Sequence, residues 1–287
     1  MNLKYLPTAA NPYKFPFLRS AAYFWKISSE NRRLDVSILF DLLVEECFAI
    51  KSRLVPQSRP REVLVKELRY GSLNLLYHRR AGDLELLAEV FLHNQYLKHP
   101  RVTLSPNSIV LDVGANAGYF TLLSASIATQ GTVFAFEPNG FSADLMRKQI
   151  IRNNLTNVVI AEVALDDHEG ECEFFVFENP FGGVNSFFRG HTKERSIPVK
   201  VQTTTLDEFA ERHSLSRIDF LKVDVEGAEL RVLRGGEATL KKVSCLAIEV
   251  HKQYVSCADV HDLLLNCGFA LESAFDTKNC CILYAWK

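Results

Sequence analysis

A short apolar segment that runs directly into a glycine-rich turn constrains the fold of this chain more than any other feature. Residues 110–118 read VLDVGANAG, and a segment with helical spacing begins at Tyr119. In doubly wound α/β sheets, a strand, a glycine turn and a helix in this order bind a nucleotide-like ligand. Gly114 and Gly118 would let the backbone approach the ligand, and the helix start would offer unpaired N–H groups to an anion. The motif departs from the dinucleotide pattern G-x-G-x-x-G, because Asn116 stands at the second glycine.

Strand and helix patterns alternate through the rest of the chain. Continuous apolar runs predict buried strands, and apolar residues at helical spacing predict the crossovers between them. The predicted strands are 109–113, 132–136, 157–165, 171–177, 197–202, 218–225 and 243–250, followed by a closing hairpin at 270–275 and 280–286. Thr205 and Glu208 form a capping box, which predicts a helix start. This order predicts an α/β fold with a mostly parallel sheet covered on both faces, and the hairpin predicts an antiparallel edge.

The first third of the chain has a different pattern. Residues 34–50 carry apolar positions at helical spacing, residues 61–77 have the pattern of a hairpin, and a helix is predicted from Asp83 toward Tyr96. Residues 1–33 are aromatic and basic, which predicts an arm packed on the body, or a surface for an acidic partner or lipid headgroups. The predicted domains are an N-terminal helical and hairpin extension, residues 1–100, and a second domain, residues 101–287.

Composition and charge narrow the class of protein. The 287 residues are 47% hydrophobic, and 33 Lys and Arg nearly balance 34 Asp and Glu. The balanced charge argues against nucleic-acid binding, and no apolar run approaches the roughly 18 residues of a membrane span. The seven cysteines include no CxxC pair, and the first residues show no apolar signal segment. We therefore expect reduced thiols and a cytoplasmic location.

A carboxylate follows the second strand of the predicted sheet. Glu137 stands about 20 residues beyond Gly118, where a carboxylate accepts hydrogen bonds from both ribose hydroxyls of an adenosine. Pro138 would stop the strand and fix that carboxylate. A nicotinamide dinucleotide and S-adenosylmethionine share this geometry. The dinucleotide needs a glycine at Asn116 to seat its pyrophosphate, and the chain has no Tyr-x-x-x-Lys proton relay. We therefore favour S-adenosylmethionine, which has no phosphate.

Five motifs in the same order resemble the FkbM family of S-adenosylmethionine-dependent methyltransferases. They are VLDVGANAG at 110–118, FEP at 136–138, TTLD at 204–207, LKVDVEGAE at 221–229 and IEVH at 248–251. The resemblance covers residues 61–287, and KVDVEGAE is its most specific element. It implies a class I methyltransferase (Rossmann-like) fold with seven strands, the last one antiparallel. It also implies O-methylation of a hydroxyl on a small molecule or glycan.

The cofactor site is predicted at the glycine turn and the ends of the next two strands. The turn would surround the methionine end, and Glu137 would bind the ribose. Asp112 could reach the cofactor ammonium through water, or fix the turn by hydrogen bonds to backbone N–H groups. For adenine we predict backbone contacts from Ala164 or Leu165, with Asp166 as the alternative. The predicted cofactor-binding residues are Asp112, Gly114, Ala115, Asn116, Gly118, Glu137, Pro138, Ala164, Leu165 and Asp224.

The acceptor site is predicted where the fourth and fifth core strands end. Methyl transfer requires an acceptor oxygen held opposite the sulfonium and a group that removes its proton. We predict Asp224 and His251 as the acceptor-side polar pair, with Glu226 as a third catalytic residue; a structural role is the alternative for His251. A histidine at a strand end is expected to have a pKa near the operating pH. We expect no metal ion, although these carboxylates would suit Mg²⁺. Glu229 could instead pair with an arginine on a helix surface.

Several alternatives stay open at this point. A degenerate methyltransferase fold could serve as a binding or assembly module, which the intact Gly114, Gly118, Glu137 and Asp224 argue against. A nicotinamide-dependent oxidoreductase is disfavoured by the glycine turn. RNA methylation would predict a basic groove, of which the balanced charge gives no sign. The polar loop at 178–196 could fold over the pocket as a lid or be an ordinary surface excursion.

Overall fold

The apolar runs and helical spacings form alternating strands and helices in the computed structural model, which describes residues 65–78, 83–177 and 196–287. The strands are β1 (Val65–Tyr70), β2 (Leu73–His78), β3 (Ile109–Val113), β4 (Thr132–Phe136), β5 (Val158–Ala161), β6 (Ala164–Leu165), β7 (Gly170–Phe177), β8 (Ser196–Thr204), β9 (Ile218–Val223), β10 (Val243–His251), β11 (Ala270–Asp276) and β12 (Cys280–Trp286). The helices are α1 (Asp83–Leu87), which continues as a π-helical turn at Ala88–Leu92, α2 (Tyr119–Ile127), α3 (Gly140–Arg152), α4 (Leu206–Arg212), α5 (Glu229–Arg234), α6 (Glu237–Leu240) and α7 (Cys257–Asn266).

Seven strands form one sheet in the order β11-β12-β10-β9-β3-β4-β5. Neighbours from β10 to β5 are parallel, whereas β12 is antiparallel to both β10 and β11. The predicted α/β class and the class I methyltransferase fold with an antiparallel last strand are therefore confirmed. The predicted antiparallel edge is confirmed as well, because the closing hairpin forms one end of the sheet, with β12 next to β10 and β11 at the edge. The apolar sequence CCILYAW suits the buried position, whereas ALESAFD in β11 carries polar residues that solvent accommodates.

The strand predicted at 157–165 is divided between two sheets. Its first part, β5, pairs with β4 in the large sheet. Its second part, β6, pairs in parallel with the end of β8, which places Ala164 opposite Thr203 and Leu165 opposite Thr204. β8 also pairs with β7 as an antiparallel hairpin. The apolar run is therefore extended over most of its length, but its backbone changes partner after β5.

Both faces of the large sheet are covered, as predicted. One face packs against α4 to α7 through a core that includes Leu206, Phe209, Val232, Leu233, Val260 and Leu264. The other face packs against α1, α2 and the β1–β2 hairpin through Leu75, Tyr77, Leu87, Tyr96, Phe120 and Leu122. Within the described ranges, no helix has the length and apolar character that crossing a membrane requires.

The predicted N-terminal hairpin is confirmed as β1 and β2, and two amide side chains of the α3 region hold it. Gln149 is fully buried, accepts from the Leu76 N–H at 2.9 Å and donates to the Ala117 carbonyl at 2.6 Å. Asn153 exchanges hydrogen bonds with both backbone groups of Asn74, at 2.7 and 2.8 Å. The two amide side chains bond backbone groups of β2 that a neighbouring strand would otherwise bond. They therefore attach the hairpin to α3, the helix that follows β4.

The other N-terminal predictions have mixed outcomes. The helix predicted from Asp83 is found as α1 and its π-helical extension, and it ends at Leu92. Residues 1–33, the helix predicted at 34–50, and all of the 178–196 loop except Ser196 lie outside the described residues. The division into domains at residue 100 stays a prediction. The capping box is confirmed at α4, where the Thr205 hydroxyl accepts from the Glu208 N–H at 3.0 Å.

We expect the substitution Gln149→Leu to lower the free energy of unfolding by about 1–3 kcal/mol, because the buried Ala117 carbonyl and the half-buried Leu76 N–H lose their partner. Urea denaturation measures this change. The matched control is Gln202→Leu on β8, where the side chain is exposed and the change should stay within about 0.5 kcal/mol. Equal effects of the two substitutions would contradict the role given to Gln149.

Candidate functional site

The turn after β3 is held in shape by contacts within the protein. Gly114, Asn116 and Gly118 have φ values of +77°, +50° and +85°, a region that glycine and asparagine tolerate best. A Cβ atom on Gly114 would lie 1.8 Å from the Asp224 carbonyl oxygen, and one on Gly118 would lie 2.5 Å from Met146 Cγ. We expected both glycines to serve the approach of a ligand. The structure shows a further requirement, the close packing of the turn against the end of β9 and against α3, and the approach of a ligand stays a prediction.

Glu137 lies at the end of β4, as predicted, and it is only 6% exposed. Its Oε2 accepts from the Asn116 N–H and its Oε1 from the Asn139 N–H, both at 2.8 Å. Burial raises the pKa of Glu137 to about 7, although these two hydrogen bonds act in the opposite direction. Each oxygen keeps a second lone pair, so the carboxylate can also accept from hydroxyl groups.

One side-chain oxygen of the turn after β3 is buried without a hydrogen-bond partner among the described residues. The Asn116 Oδ1 atom is buried and accepts no hydrogen bond from any residue that the structure describes. A buried acceptor of this kind calls for a donor, because an unsatisfied polar atom costs about 1–3 kcal/mol. The ammonium of a methionine moiety is such a donor, and the hydroxyls of a ribose suit Glu137. The residues present therefore fit the methionine ammonium and the ribose of S-adenosylmethionine.

A buried lysine joins the turn to the neighbouring strand β9. The Lys222 ammonium donates to the Gly114 carbonyl at 2.7 Å and lies 3.2 Å from Asp112 and 3.7 Å from Asp224. Burial alone would lower the pKa of Lys222, but the two carboxylates hold it above its ordinary value, so the ammonium stays charged. Asp112 is fully buried and also accepts from the Thr121 hydroxyl at 2.6 Å. Of the two roles predicted for Asp112, hydrogen bonds to the backbone of the turn are not among these contacts, and a water-mediated contact with the cofactor ammonium stays a prediction.

Two consecutive residues after α1 hold two carboxylates of the acceptor side. The Tyr96 hydroxyl donates to Asp224 Oδ2 at 2.9 Å, and Gln95 Nε2 donates to Glu249 Oε2 at 2.8 Å. Burial, followed by the charge of Asp224, raises the pKa of Tyr96 well above its ordinary value, so the phenol keeps its proton. The Tyr284 hydroxyl of β12 donates to the Gln95 carbonyl and fixes the segment.

Glu249 is a polar residue of this site that the sequence analysis did not single out. Burial, followed by the charge of Asp224, raises the pKa of the Glu249 carboxyl above its ordinary value. Side chains alternate along a strand, so residues two apart in β10 share a face of the sheet. Glu249 therefore lies on the face that carries His251, and the motif IEVH already contained this signal.

His251 ends β10 between two carboxylates. Its Nδ1 lies 2.8 Å from Glu229 Oε1, and its Nε2 lies 3.1 Å from Glu226 Oε2. Burial alone would lower the pKa of His251, but Glu229, Glu226 and Asp224 raise it to about 10. The expected pKa near the operating pH is therefore wrong. The alternative of a surface ion pair for Glu229 is wrong as well, because that carboxylate is fully buried and also accepts from the Gly227 N–H at 2.8 Å.

Of the residues predicted to contact adenine, Asp166 is already bonded within the protein. Asp166, the alternative for the adenine amino group, is fully buried and accepts from the Arg231 guanidinium and from the Asp167 N–H at 2.8 Å. Both of its oxygens are therefore engaged within the protein. Ala164 and Leu165 are buried in β6, and their contact with adenine stays a prediction.

Two trios of described residues bring possible metal-ligand atoms within 4.8 Å of one another. The trios are Asp224, Glu226 and His251, and Asp166, Asp167 and His168. The first trio lies at the adjoining ends of β9 and β10, beside the turn that follows β3. The predicted catalytic residues therefore converge, and they do so next to the predicted cofactor turn.

We expect Lys222→Met to lower the free energy of unfolding by about 3–5 kcal/mol, because it leaves Asp112 buried without a countercharge. The double variant Asp112→Asn with Lys222→Met should regain part of that loss. Chemical denaturation of the three proteins measures both effects. The control Lys200→Met removes an exposed lysine of β8 and should leave stability unchanged. No recovery in the double variant would contradict the pairing.

Comparison with known proteins agrees with this architecture. A family model described as the methyltransferase FkbM domain matches residues 112–271. The 31-O-demethyl-FK506 methyltransferase FkbM of Streptomyces tacrolimicus is 27% identical over 74% of this chain and 92% of its own length. The 2-O-methyltransferase NoeI of Sinorhizobium fredii is 28% identical over 52% of this chain and 65% of its own length. The hexuronic acid methyltransferase AglP of Haloferax volcanii is 30% identical over 58% of this chain and 65% of its own length. Because the family model spans more than half of the 287 residues, the chain belongs to the FkbM methyltransferase family.

Proposed function

We propose that this protein is an S-adenosylmethionine-dependent O-methyltransferase that acts on a hydroxyl group of a small molecule or sugar. The observation that carries the proposal is the meeting of two sites at one edge of the sheet. The turn after β3 and Glu137 after β4 suit the cofactor, and the carboxylates after β9 and within β10 suit an acceptor hydroxyl. The names of the three relatives support the acceptor class, since they describe methyltransferases that act on 31-O-demethyl-FK506, at a 2-O position and on a hexuronic acid.

The cofactor would be held by groups that the protein already positions. Glu137 would accept from the ribose hydroxyls, and Asn116 Oδ1 would accept from the methionine ammonium. We keep Ala164 and Leu165 as the residues beside adenine. When bound, S-adenosylmethionine supplies a methyl group on a positively charged sulfur.

The acceptor hydroxyl must lose its proton as its oxygen gains the methyl group, so the chain must supply a proton acceptor. We assign this role to Glu249. Its half-buried carboxylate lies beside Asp224 and accepts from Gln95 at 2.8 Å and from the Cys280 thiol, a weak donor. His251 has both nitrogens engaged by carboxylates, so it orients Glu226 and does not act as the base. Asp224, fixed by Tyr96, would hold the hydroxyl in place.

The proposed function is tested by incubating the protein with methyl-labelled S-adenosylmethionine and a panel of sugars, hydroxylated small molecules and RNA. We expect label in a sugar or small molecule, in a bond that resists alkali as a methyl ether does and a methyl ester does not. Label found only in RNA, or only in an alkali-labile ester, would contradict the proposal.

The affinity for S-adenosylmethionine should rise as the pH increases through about 7, the pKa of buried Glu137. The ionised carboxylate is the stronger acceptor for ribose hydroxyls, so binding is weaker at pH 6 than at pH 8 by up to about tenfold. Calorimetric titration measures the affinity of the wild type and of Glu137→Gln at each pH. The ratio of the two affinities removes the effect of ionisation of the ligand, because that effect is the same for both proteins. Glu137→Gln should bind more weakly and should lose the part of the pH dependence that comes from ionisation of Glu137. The control Glu171→Gln on β7 should keep that pH dependence. A ratio of affinities that is constant from pH 6 to pH 8 would remove Glu137 from the ribose site.

We expect Glu249→Gln to lower kcat by about 10²–10⁴-fold, the range for loss of a positioned proton acceptor, while the Kd for S-adenosylmethionine stays within about threefold. Single-turnover transfer of labelled methyl to the acceptor found in the screen measures the first quantity. The matched control is Glu272→Gln on β11, whose carboxylate is exposed and pairs with His99. Unchanged turnover in Glu249→Gln would contradict the assignment of the base.

A further inference from the structure

We propose that Asp224, Glu226 and His251 bind a divalent metal ion beside the acceptor site. From the sequence we expected no metal ion here, because no second cluster of ligands was evident, although the carboxylates would suit Mg²⁺. The fold brings the three together, since β9 and β10 are adjacent parallel strands whose ends meet. The role of the ion in catalysis rests on the proposed function, whereas its binding does not.

The distances within the trio are those of neighbouring ligands of one ion. One oxygen or nitrogen from each residue lies within 4.8 Å of the other two. His251 Nε2 and Glu226 Oε2 are 3.1 Å apart. Two ligands at about 2.1 Å from a shared ion and at right angles are about 3 Å apart. All three side chains are largely buried, so a bound ion would be shielded from bulk water.

Glu229 orients the histidine in the manner of a metal site. Ligating histidines commonly give their second ring nitrogen to a carboxylate, which fixes the ring and its tautomer. Here the Nδ1 of His251 meets Glu229 Oε1 at 2.8 Å, which leaves Nε2 on the side of Glu226. Glu229 is fully buried, and its Oε2 accepts no hydrogen bond from the part of the chain that the structure describes. This buried oxygen lies next to the trio and has no partner among the described residues. It is a second and separate indication that a species bound here would supply one.

The ligand set favours a first-row divalent ion. Carboxylates suit both Mg²⁺ and Mn²⁺, and the imidazole of His251 favours Mn²⁺, which is a transition-metal ion. We therefore expect Mn²⁺ to bind more tightly than Mg²⁺. An ion at this position would hold the acceptor oxygen and make its proton more acidic, with Glu249 close by to receive that proton.

The second trio does not share these features. Asp166 is engaged by Arg231, and Asp167 and His168 are exposed. Exposed groups of this kind are common without an ion, so this trio provides a matched control for non-specific binding.

The test is titration of the purified full-length protein, without cofactor or acceptor, with MnCl₂. Free Mn²⁺ is followed by electron paramagnetic resonance and the heat of binding by calorimetry. We expect one tight site, and we expect Glu226→Gln and His251→Gln to weaken it at least tenfold. Glu229→Gln should weaken it by about 10–100-fold, the usual effect of losing the group that orients a ligand. His168→Gln should bind as the wild type does. Thermal unfolding of each variant shows that it is folded.

A measurement on the wild type alone guards against variants that do not fold. Pulsed electron paramagnetic resonance of the bound Mn²⁺ should show coupling to an imidazole nitrogen. The proposal is overturned by the absence of tight binding, by the absence of nitrogen coupling, or by binding that only His168→Gln removes. Cofactor binding and methyl transfer without Mn²⁺ binding would overturn the metal site alone. Tight Mn²⁺ binding without S-adenosylmethionine binding would support the metal site and contradict the proposed function.

Discussion

The buried ammonium of Lys222 is the interaction on which both halves of the site depend. A charge that is only 3% exposed is tolerated where oxygens surround it, and three are supplied by Asp112, the Gly114 carbonyl and Asp224. These oxygens belong to β3, to the turn that follows it and to the end of β9. The ammonium therefore sets the position of the cofactor turn relative to the acceptor-side carboxylates, and moving either one would leave a buried charge without its partners.

The acceptor side is held from outside the sheet as well as from within. Gln95 and Tyr96 follow the π-helical turn and bind the carboxylates of Glu249 and Asp224, so two neighbouring positions along the chain fix two neighbouring strands. The buried amide of Gln149 ties β2 to the residues just before α2. The N-terminal hairpin and helix thus contribute to the geometry of the site, and this connects residues outside the family motifs to its function.

The sequence predicted what depends on local pattern and on strand order. Apolar runs predicted the central strands, the motif VLDVGANAG predicted the glycine turn, and its spacing from that turn singled out Glu137. The terminal hairpin predicted the antiparallel edge of the sheet. It did not predict the partners of buried charges, because these come from distant parts of the chain. The expectation that His251 has a pKa near neutrality was wrong, because the two carboxylates that flank its ring raise that pKa. Glu249 was missed although its motif was recognised, because its importance comes from contact with the segment after α1.

In the arrangement that we propose, the turn after β3 and Glu137 hold the cofactor with its reactive end toward Asp224 and Glu249. The decisive measurement is a crystal structure of the protein with S-adenosylhomocysteine. We expect ribose hydroxyls within hydrogen-bonding distance of Glu137, the ammonium at Asn116 Oδ1, and the sulfur facing the carboxylates at the ends of β9 and β10. A ligand bound elsewhere, or bound here with its sulfur turned away from Asp224 and Glu249, would contradict it.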